Sequence, residues 1–386
     1  MSHLIASCCV AGVLLISASA LAQAATGRVE PDPKEFMDRF WASTTMRGES
    51  LFFVQREEGR PPTATLLFRP ERILSVRSAT REVAYEEGRD YLVDRASGVM
   101  SLPPGSRIPF KTMAEMYPPA DSKLPKMAHL RGDPKTCLIF SEGSFFHRLQ
   151  VEVSYDHAGG LWRGPVPAFA GQTLPRTIEK LKKGRGITLA ISGDSISAGA
   201  NASRSTGVAP FMPPYPALVA RGLEQVYGGR VDLKNFAVGG WTTDRGAKDA
   251  GRVADARPDL LIIAYGLNDC GGVPVQRFVS NLQAIMATVR QQSPEAEFIL
   301  ISTMLGNEEW HLLNLDRLRA YREAMKELTV GEGVVLADIT GMWEEMLRRK
   351  SFHDLTGNGV NHPNDFGHRV YAATILALLV EAQGGE

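Results

Sequence analysis

The chain has 386 residues, in which 43 lysines and arginines balance 43 aspartates and glutamates, so its net charge is zero. This balance argues against a nucleic-acid partner, because phosphate backbones are bound by concentrated basic surfaces. The length exceeds that of one typical domain and suits two.

The N-terminus has the pattern of a secretory signal. The run 4–21 is almost wholly apolar or small, and the stretches 20–22 and 22–24 both fit the small-x-small cleavage pattern. A transmembrane anchor is the alternative, since a run of about 18 residues can just span a bilayer. The many Ser, Cys, Gly and Ala residues of this run favour a cleaved signal over a membrane anchor. We therefore predict a signal peptide over residues 1–24, a secreted or periplasmic protein, and no membrane span in the mature chain.

Short β-type runs separated by turns follow a predicted helical entry at residues 31–47. The predicted strands lie at residues 51–54, 63–68, 73–76, 83–85, 91–93, 99–102, 137–140 and 149–155. Residues 116–134, which contain four prolines, predict a long irregular loop. Many short strands with frequent turns are typical of a sandwich or jelly roll. We predict a smaller all-β sandwich domain, jelly-roll-like, over residues 25–160.

A Gly- and Pro-rich stretch at 159–167 marks the predicted boundary, and strands then alternate with helices. The predicted strands are 187–191, 231–236, 260–265, 297–302 and 334–338, and the predicted helices are 173–183, 215–227, 243–255, 275–291, 312–328 and 370–382. This alternation predicts a parallel sheet in a three-layer α/β/α domain over residues 161–386.

Polar segments lie where these predicted strands end, and together they offer a nucleophile and its base. In chain order they are Gly193-Asp194-Ser195, Asn235…Gly240, Gly266-Leu267-Asn268-Asp269 and, in the loop before the last helix, His362-Pro363. A hydroxyl at the end of such a strand projects into the crevice where open α/β sheets bind ligands. Because a serine needs a base to take its proton, Ser195 and His362 predict a hydrolase.

From about residue 186 onward these segments resemble the SGNH or GDSL-like hydrolases. The resemblance implies that Ser195 is the nucleophile and His362 the base. It also implies an oxyanion hole formed by the N–H groups of Ser195 and Gly240 and by the amide of Asn268. Such donors stabilise the charge of a tetrahedral intermediate, a glycine N–H approaches without Cβ obstruction, and an asparagine donates without carrying charge.

One position departs from the family pattern. The family has an aspartate three residues before the histidine, which orients the imidazole, whereas this chain has Gly359 there. Asp354 and Asp365 lie on either side of His362 and could each reach it. A backbone carbonyl could equally fix the tautomer, which would leave a Ser–His dyad. The sequence favours the dyad but leaves these alternatives open.

The substrate class follows from the resemblance alone. A β-sandwich before the hydrolase domain is similar to family branches that remove acetyl groups from carbohydrates, which implies a secreted serine esterase acting on short-chain, acetyl esters of a glycan or small molecule. Two alternatives are a carbohydrate-binding protein that has lost activity, for which the missing aspartate is the argument, and a lysophospholipase or thioesterase. Trp241, Trp310 and His311 are candidate substrate contacts.

Cysteine and histidine spacing predicts no metal site, and we expect no cofactor. Cys137 and Cys270 could form a disulfide in an oxidising compartment, or Cys270 could simply pack as a small apolar residue. His353 and His368 lie near His362 in the sequence, but their separations are not those of metal ligands.

Overall fold

The computed structural model describes residues 31–122 and 128–382 of the chain. The predicted signal peptide, residues 1–24, lies outside the described residues. Residues from Pro31 onward form one compact unit. The predicted domain boundary between residues 160 and 161 stays a prediction.

A mostly antiparallel sheet of seven strands occupies the first part of the chain. Its strands are β1 (Thr45–Gln55), β2 (Thr63–Thr65), β3 (Pro70–Ser78), β4 (Leu92–Asp94), β5 (Val99–Ser101), β6 (Phe110–Thr112) and β9 (Gln150–His157). Their order is β3-β9-β1-β2-β5-β4, and β6 runs parallel to β1. A separate hairpin consists of β7 (His129–Leu130) and β8 (Asp133–Cys137). The prediction that this region is rich in β-strands is confirmed, while the packing of two sheets as a sandwich stays a prediction.

Several details of this region differ from the sequence prediction. Of the predicted strand at 137–140, only Cys137 lies in a strand, at the end of β8. The helical entry is a single turn, Lys34–Met37, because Asp38 is extended and pairing of β1 with β9 takes over from Thr45. The predicted strand at 83–85 contributes only an isolated bridge between Ala84 and Arg77. The predicted loop at 116–134 contains strand β7. Strand pairing, either with the distant β9 or within short hairpins, produced these differences.

The second part of the chain is built on a five-stranded parallel sheet. Its strands are β10 (Ile187–Gly193), β11 (Val231–Asn235), β12 (Leu260–Ala264), β13 (Glu297–Ser302) and β14 (Val334–Asp338), in the order β11-β10-β12-β13-β14. Every residue of β12 and β13 is buried, as expected for central parallel strands. All five predicted strands are confirmed.

Helices connect these strands and complete the fold. The longer ones are Pro175–Lys182, Tyr215–Tyr227, Thr243–Asp255, Val275–Gln292, Leu315–Leu328, Ile339–Leu347 and Asp365–Leu379. The last begins five residues before its predicted start at 370, because Asn364 caps it by accepting a hydrogen bond from the Gly367 N–H. The three-layer arrangement stays a prediction. Within the described part of the chain, no helix combines the length and apolarity needed to cross a membrane.

The two sheets share one hydrophobic core. Buried side chains of the first sheet, such as Leu51 and Tyr155, belong to the same contiguous cluster as Ile262 of β12. A buried ion pair between Glu49 of β1 and Lys350 joins the two regions as well. The N-terminal sheet is therefore packed against the parallel-sheet region rather than tethered to it.

Candidate active site

Ser195 lies at the carboxyl end of β10, where the strand order reverses. Strand β10 pairs with β11 on one side and with β12 on the other, which opens a crevice beyond its end. Ser195 begins the one-turn helix Ser195–Ala198, and the Asp194 carboxylate caps that turn by accepting from the Ile196 N–H at 3.0 Å. The half-buried Ser195 is therefore held on a rigid turn at the crevice.

His362 meets Ser195 across the crevice. Its Nε2 lies 2.9 Å from the Ser195 Oγ, although the two residues are 167 positions apart. The loop that carries His362 is closed on itself, since the His362 carbonyl accepts from the Gly357 N–H at 2.8 Å and from the Thr356 hydroxyl at 3.0 Å. The structure thus brings the two predicted catalytic residues within hydrogen-bond distance.

Asn201 determines which imidazole nitrogen carries the proton. Its Oδ1 lies 2.8 Å from the His362 Nδ1. Its Nδ2 donates to the carbonyls of Gly143 and Gly357, both at 3.1 Å, so both amide hydrogens are used. Because Oδ1 only accepts, His362 must donate through Nδ1–H. Nε2 is then left as the acceptor for the Ser195 hydroxyl, as a general base requires.

Asn358 shapes the loop behind the imidazole. Its Oδ1 accepts from the N–H groups of Val360, Asn361 and His362 at 3.0–3.1 Å. Its Nδ2 donates to the Asn361 Oδ1 at 2.9 Å and to the Glu142 Oε1 at 3.0 Å. The Nδ2 also lies 3.0 Å from the His362 Nδ1, but two donors face each other there, so this contact is not a hydrogen bond. Asn358 therefore fixes the conformation of the loop, and it does not select the tautomer of His362.

The two aspartates considered from the sequence are engaged elsewhere. Asp354 accepts from the Phe52 N–H at 2.7 Å and from the Ser351 N–H at 2.9 Å. Asp365 accepts from the Ser203 N–H at 2.7 Å. Both carboxylates thus accept hydrogen bonds from backbone N–H groups rather than from the imidazole. The group that fixes the tautomer is a side-chain amide instead of the backbone carbonyl favoured from the sequence.

Gly359 cannot be replaced by the family's aspartate in this fold. Its φ is +94°, a region that favours glycine. A Cβ at this position would lie 2.2 Å from the Ile139 carbonyl oxygen and 2.8 Å from the Phe146 ring. The segment 139–146, which precedes β9, thus fills the space that the family's acid would need.

The turn that carries Gly240 lies beside the nucleophile. The chain after β11 continues along β10, since the Val238 N–H donates to the Gly193 carbonyl at 3.1 Å. A Cβ added to Gly239 would lie 3.8 Å from the Ser195 Cβ. Gly240 follows with φ +76°, exposed and without atoms near its missing Cβ. The turn is therefore open to a bound substrate.

Asn268 follows β12 on the other side of Ser195. Its Nδ2 donates to the Trp241 carbonyl at 3.0 Å, which leaves its second amide hydrogen for another acceptor. The next residue, Asp269, is buried and accepts from the Thr243 N–H at 2.8 Å. These two contacts tie the turn after β12 to the turn after β11, so both predicted oxyanion donors border one crevice.

The Asp194 carboxyl is fully buried behind the nucleophile. Burial disfavours its charged form and raises its pKa to about 7, although the Ile196 N–H and His362 act in the opposite direction. The folded chain therefore binds a proton that the unfolded chain, with an aspartate pKa of about 3.9, releases at lower pH. The stability contributed by neutral Asp194 is present below about pH 4 and is lost as the pH rises through about 7.

We expect Asp194→Asn to remove this pH dependence, because asparagine caps a helix equally well but does not titrate. The free energy of unfolding of the variant minus that of the wild type should grow between about pH 4 and pH 7 and then level off, with a gain of up to about 4 kcal/mol. Urea unfolding at about pH 4, 6 and 8 measures it. A difference that stays constant with pH would show that Asp194 is not the titrating group.

Other residues considered from the sequence take structural positions. Cys137 and Cys270 are both buried free thiols, so the disulfide is not formed. His353 and His368 are buried, and burial lowers the pKa of each to about 4. Residues 31–122 and 128–382 contain no group of three His, Cys, Asp or Glu side chains that could hold a metal ion.

The candidate substrate contacts differ in position. Trp241 is half-buried, and its carbonyl accepts from Asn268 in the crevice. Trp310 packs partly buried against the hydrophobic core. The Nδ1 of His311 lies 3.1 Å from the His129 carbonyl oxygen. Of the three, Trp241 has the contact that places it beside a predicted catalytic residue.

Comparisons with known proteins find one family and several solved structures to which the chain is similar. Residues 191–370 match the sequence profile of the GDSL-like lipase/acylhydrolase family. A two-domain esterase active on acetylated mannans is 19% identical with a TM-score of 0.42; the match covers 56% of this chain and 53% of that one, about half its length. An acetyl-xylooligosaccharide esterase from Geobacillus is 23% identical with a TM-score of 0.42, over 53% of this chain and 97% of that one.

A lipase/acylhydrolase from Enterococcus faecalis is 21% identical with a TM-score of 0.40, over 49% of this chain and 93% of that one. Comparison with curated protein sequences finds no match.

Proposed function

Because residues 191–370 form a domain of the GDSL-like lipase/acylhydrolase family, we propose that this protein is a serine esterase that hydrolyses short-chain, acetyl esters of a carbohydrate. The observation that carries the proposal is the hydrogen bond of 2.9 Å between Ser195 Oγ and His362 Nε2. Asn201 supports it by occupying Nδ1, which leaves Nε2 free to accept the serine proton. A binding protein that had lost catalysis would have no need for this orientation.

The first half of the reaction acylates the serine. Ser195 Oγ attacks the ester carbonyl carbon while His362 Nε2 takes the hydroxyl proton. The carbonyl oxygen becomes an oxyanion facing the N–H groups of Ser195 and Gly240 and the free amide hydrogen of Asn268. The C–O bond to the alcohol then breaks, and His362 returns its proton to the leaving alcohol oxygen.

The second half releases the acid. A water molecule attacks the acyl carbon and gives a proton to His362. The oxyanion of this second tetrahedral intermediate faces the same three donors. The bond to Ser195 Oγ breaks, the serine recovers the proton from His362, and the carboxylic acid leaves. One base thus serves both halves, which requires its Nδ1 side to stay fixed throughout.

The surroundings of Ser195 favour a small acyl group on a large alcohol. Gly239 and Gly240 are exposed, so the entrance is open rather than tunnel-shaped. A cavity of about 600 Å³ with apolar residues in its wall does exist, but neither Ser195 nor His362 lines it. It therefore does not lead a long acyl chain away from the nucleophile. Trp241 is half-buried beside Asn268, and its ring is the candidate surface for stacking of a sugar ring.

Hydrolysis of p-nitrophenyl esters from acetyl to palmitoyl, together with acetate release from acetylated polysaccharides, tests the proposal, with Ser195→Ala as the control. We expect turnover of acetyl esters that depends on Ser195. A preference for long acyl chains would instead indicate a lysophospholipase or thioesterase. Glycan binding without any hydrolysis would indicate a protein that has lost activity.

We further propose that the chain is exported by the signal peptide of residues 1–24, and that a β-sandwich domain over residues 25–160 precedes a three-layer hydrolase domain over residues 161–386. The charge balance supports a partner other than a nucleic acid. Cleavage of the apolar N-terminal run would leave no membrane span in the mature chain. N-terminal sequencing of the secreted protein would identify the cleavage site.

A further inference from the structure

A neutral amide at Nδ1 leaves one catalytic requirement unmet. The acid of a serine-hydrolase triad orients the imidazole and also stabilises the imidazolium that forms when the base takes a proton. Asn201 fulfils the first role, because its Oδ1 accepts from Nδ1–H. It carries no charge and cannot fulfil the second. A nearby carboxylate could supply the missing negative charge.

Glu142 is that carboxylate. Its Oε2 lies 3.4 Å from the His362 Nδ1, and its Oε1 accepts from the Asn358 Nδ2 at 3.0 Å. Asn358 is itself held by the three backbone N–H groups that donate to its Oδ1. Its Nδ2 is therefore fixed in position and orients the Glu142 carboxylate. Glu142 lies before β9, outside the matched family segment of residues 191–370.

The segment around Glu142 is anchored to the catalytic loop. The Ser141 N–H donates to the Asn358 carbonyl at 3.2 Å, and the Gly143 carbonyl accepts from the Asn201 Nδ2 at 3.1 Å. The neighbouring Ile139 carbonyl is the atom that a Cβ on Gly359 would meet. The same segment thus excludes an aspartate at the family's position and delivers a glutamate to the imidazole.

We propose that Glu142 is a positioning and charge-supplying residue of the catalytic centre, which replaces the family's aspartate together with Asn201. This inference rests on the proposed esterase function and deepens it. Asn201 selects the tautomer, and Glu142 stabilises the imidazolium. The N-terminal region is then part of the active site, and the hydrolase segment alone lacks the negative charge.

The ionisation behaviour of Glu142 agrees with this pairing. Partial burial, the largest single effect, would raise its pKa, but the positive charge of His362 and the polar contacts with His362, Asn358 and Asn201 together lower the pKa of the carboxyl. Asp194 and His368 also interact with the charge of His362. Both are fully buried, so their interaction with the imidazole is less screened by salt than that of the half-exposed Glu142.

We expect Glu142→Gln to lower kcat about tenfold and to move the acid limb of the kcat/KM–pH profile down by up to about 1 pH unit. The loss is far smaller than the roughly 10⁴-fold caused by a wrong tautomer, because Asn201 still selects the tautomer. The glutamine oxygen can still accept from Asn358, so the loop is retained. Salt should reduce the difference between variant and wild type, since the side chain of Glu142 is 54% exposed.

Glu115→Gln is the matched control, because it removes one carboxylate from the N-terminal region at a helix cap that glutamine also satisfies. It should leave both kcat and the acid limb unchanged. A Glu142→Gln profile identical to that of the control would overturn the proposal. A lower kcat with an unmoved acid limb would also overturn it, because it would show a structural role only.

Two measurements test the role of Glu142 even if no ester is hydrolysed or if the variant does not fold. An NMR titration of the imidazole needs no substrate, and the His362 imidazolium should lose its proton at lower pH in Glu142→Gln than in wild type. If no ester is hydrolysed, this result still decides the role of Glu142. If the variant does not fold, the wild-type acid limb should still move to lower pH with added salt, and a limb insensitive to salt would contradict the proposal.

Discussion

Replacing Ser195 by alanine is expected to lower kcat by about 10⁵-fold to 10⁶-fold, and replacing His362 by alanine should cost about as much. The two side chains act as one unit joined by the hydrogen bond of 2.9 Å. Once the nucleophile or its base is gone, the other has little left to contribute. The double variant should therefore lose little more than either single variant.

Steady-state kinetics on an acetyl ester and labelling with a covalent serine probe measure this effect. Ser205→Ala is a suitable control, because Ser205 is exposed and lies ten residues after the nucleophile. Each variant should retain the wild-type melting temperature to within a few degrees, since neither side chain belongs to the hydrophobic core. Losses that multiply in the double variant, or a probe bound to another residue, would show that the pairing is wrong.

Replacing Asn268 by alanine should lower kcat by about 10²-fold to 10³-fold, the usual cost of one oxyanion donor. KM should change little, because the oxyanion exists only beyond the ground state. One amide hydrogen of Asn268 is used by the Trp241 carbonyl, so the predicted effect rests on the second. A side chain at Gly240 should also lower kcat, since its φ of +76° favours glycine.

Asn268→Asp distinguishes this role from a steric one. Aspartate has the size of asparagine but replaces the donor with a negative acceptor, so it should be at least as damaging as alanine. Activity retained in Asn268→Asp, or a change in KM alone in Asn268→Ala, would assign Asn268 to substrate positioning instead. The turn that carries it should stay in place, because Asp269 holds it through Thr243.

The sequence by itself predicted the parallel sheet and the candidate catalytic pair of Ser195 and His362. Buried parallel strands are continuous apolar runs, so β13 and β14 could be predicted to the residue and β10 to within two residues. Polar segments at the ends of such strands must share one edge of the sheet, which is why Ser195 could be placed in the crevice from local pattern alone. His362 was predicted from its polar loop and the resemblance to the family.

Only the tertiary structure brought Asn201 and Glu142 to the candidate catalytic histidine. Asn201 has φ +58°, and its role depends on carbonyls at Gly143 and Gly357, far from it along the chain. Glu142 comes from the N-terminal region, and no spacing relates it to His362. The family's aspartate is excluded at position 359 because the Ile139 carbonyl packs against Gly359. Local pattern reports strands and turns, whereas these contacts arise only when distant segments pack, so nothing near His362 in the sequence could indicate them.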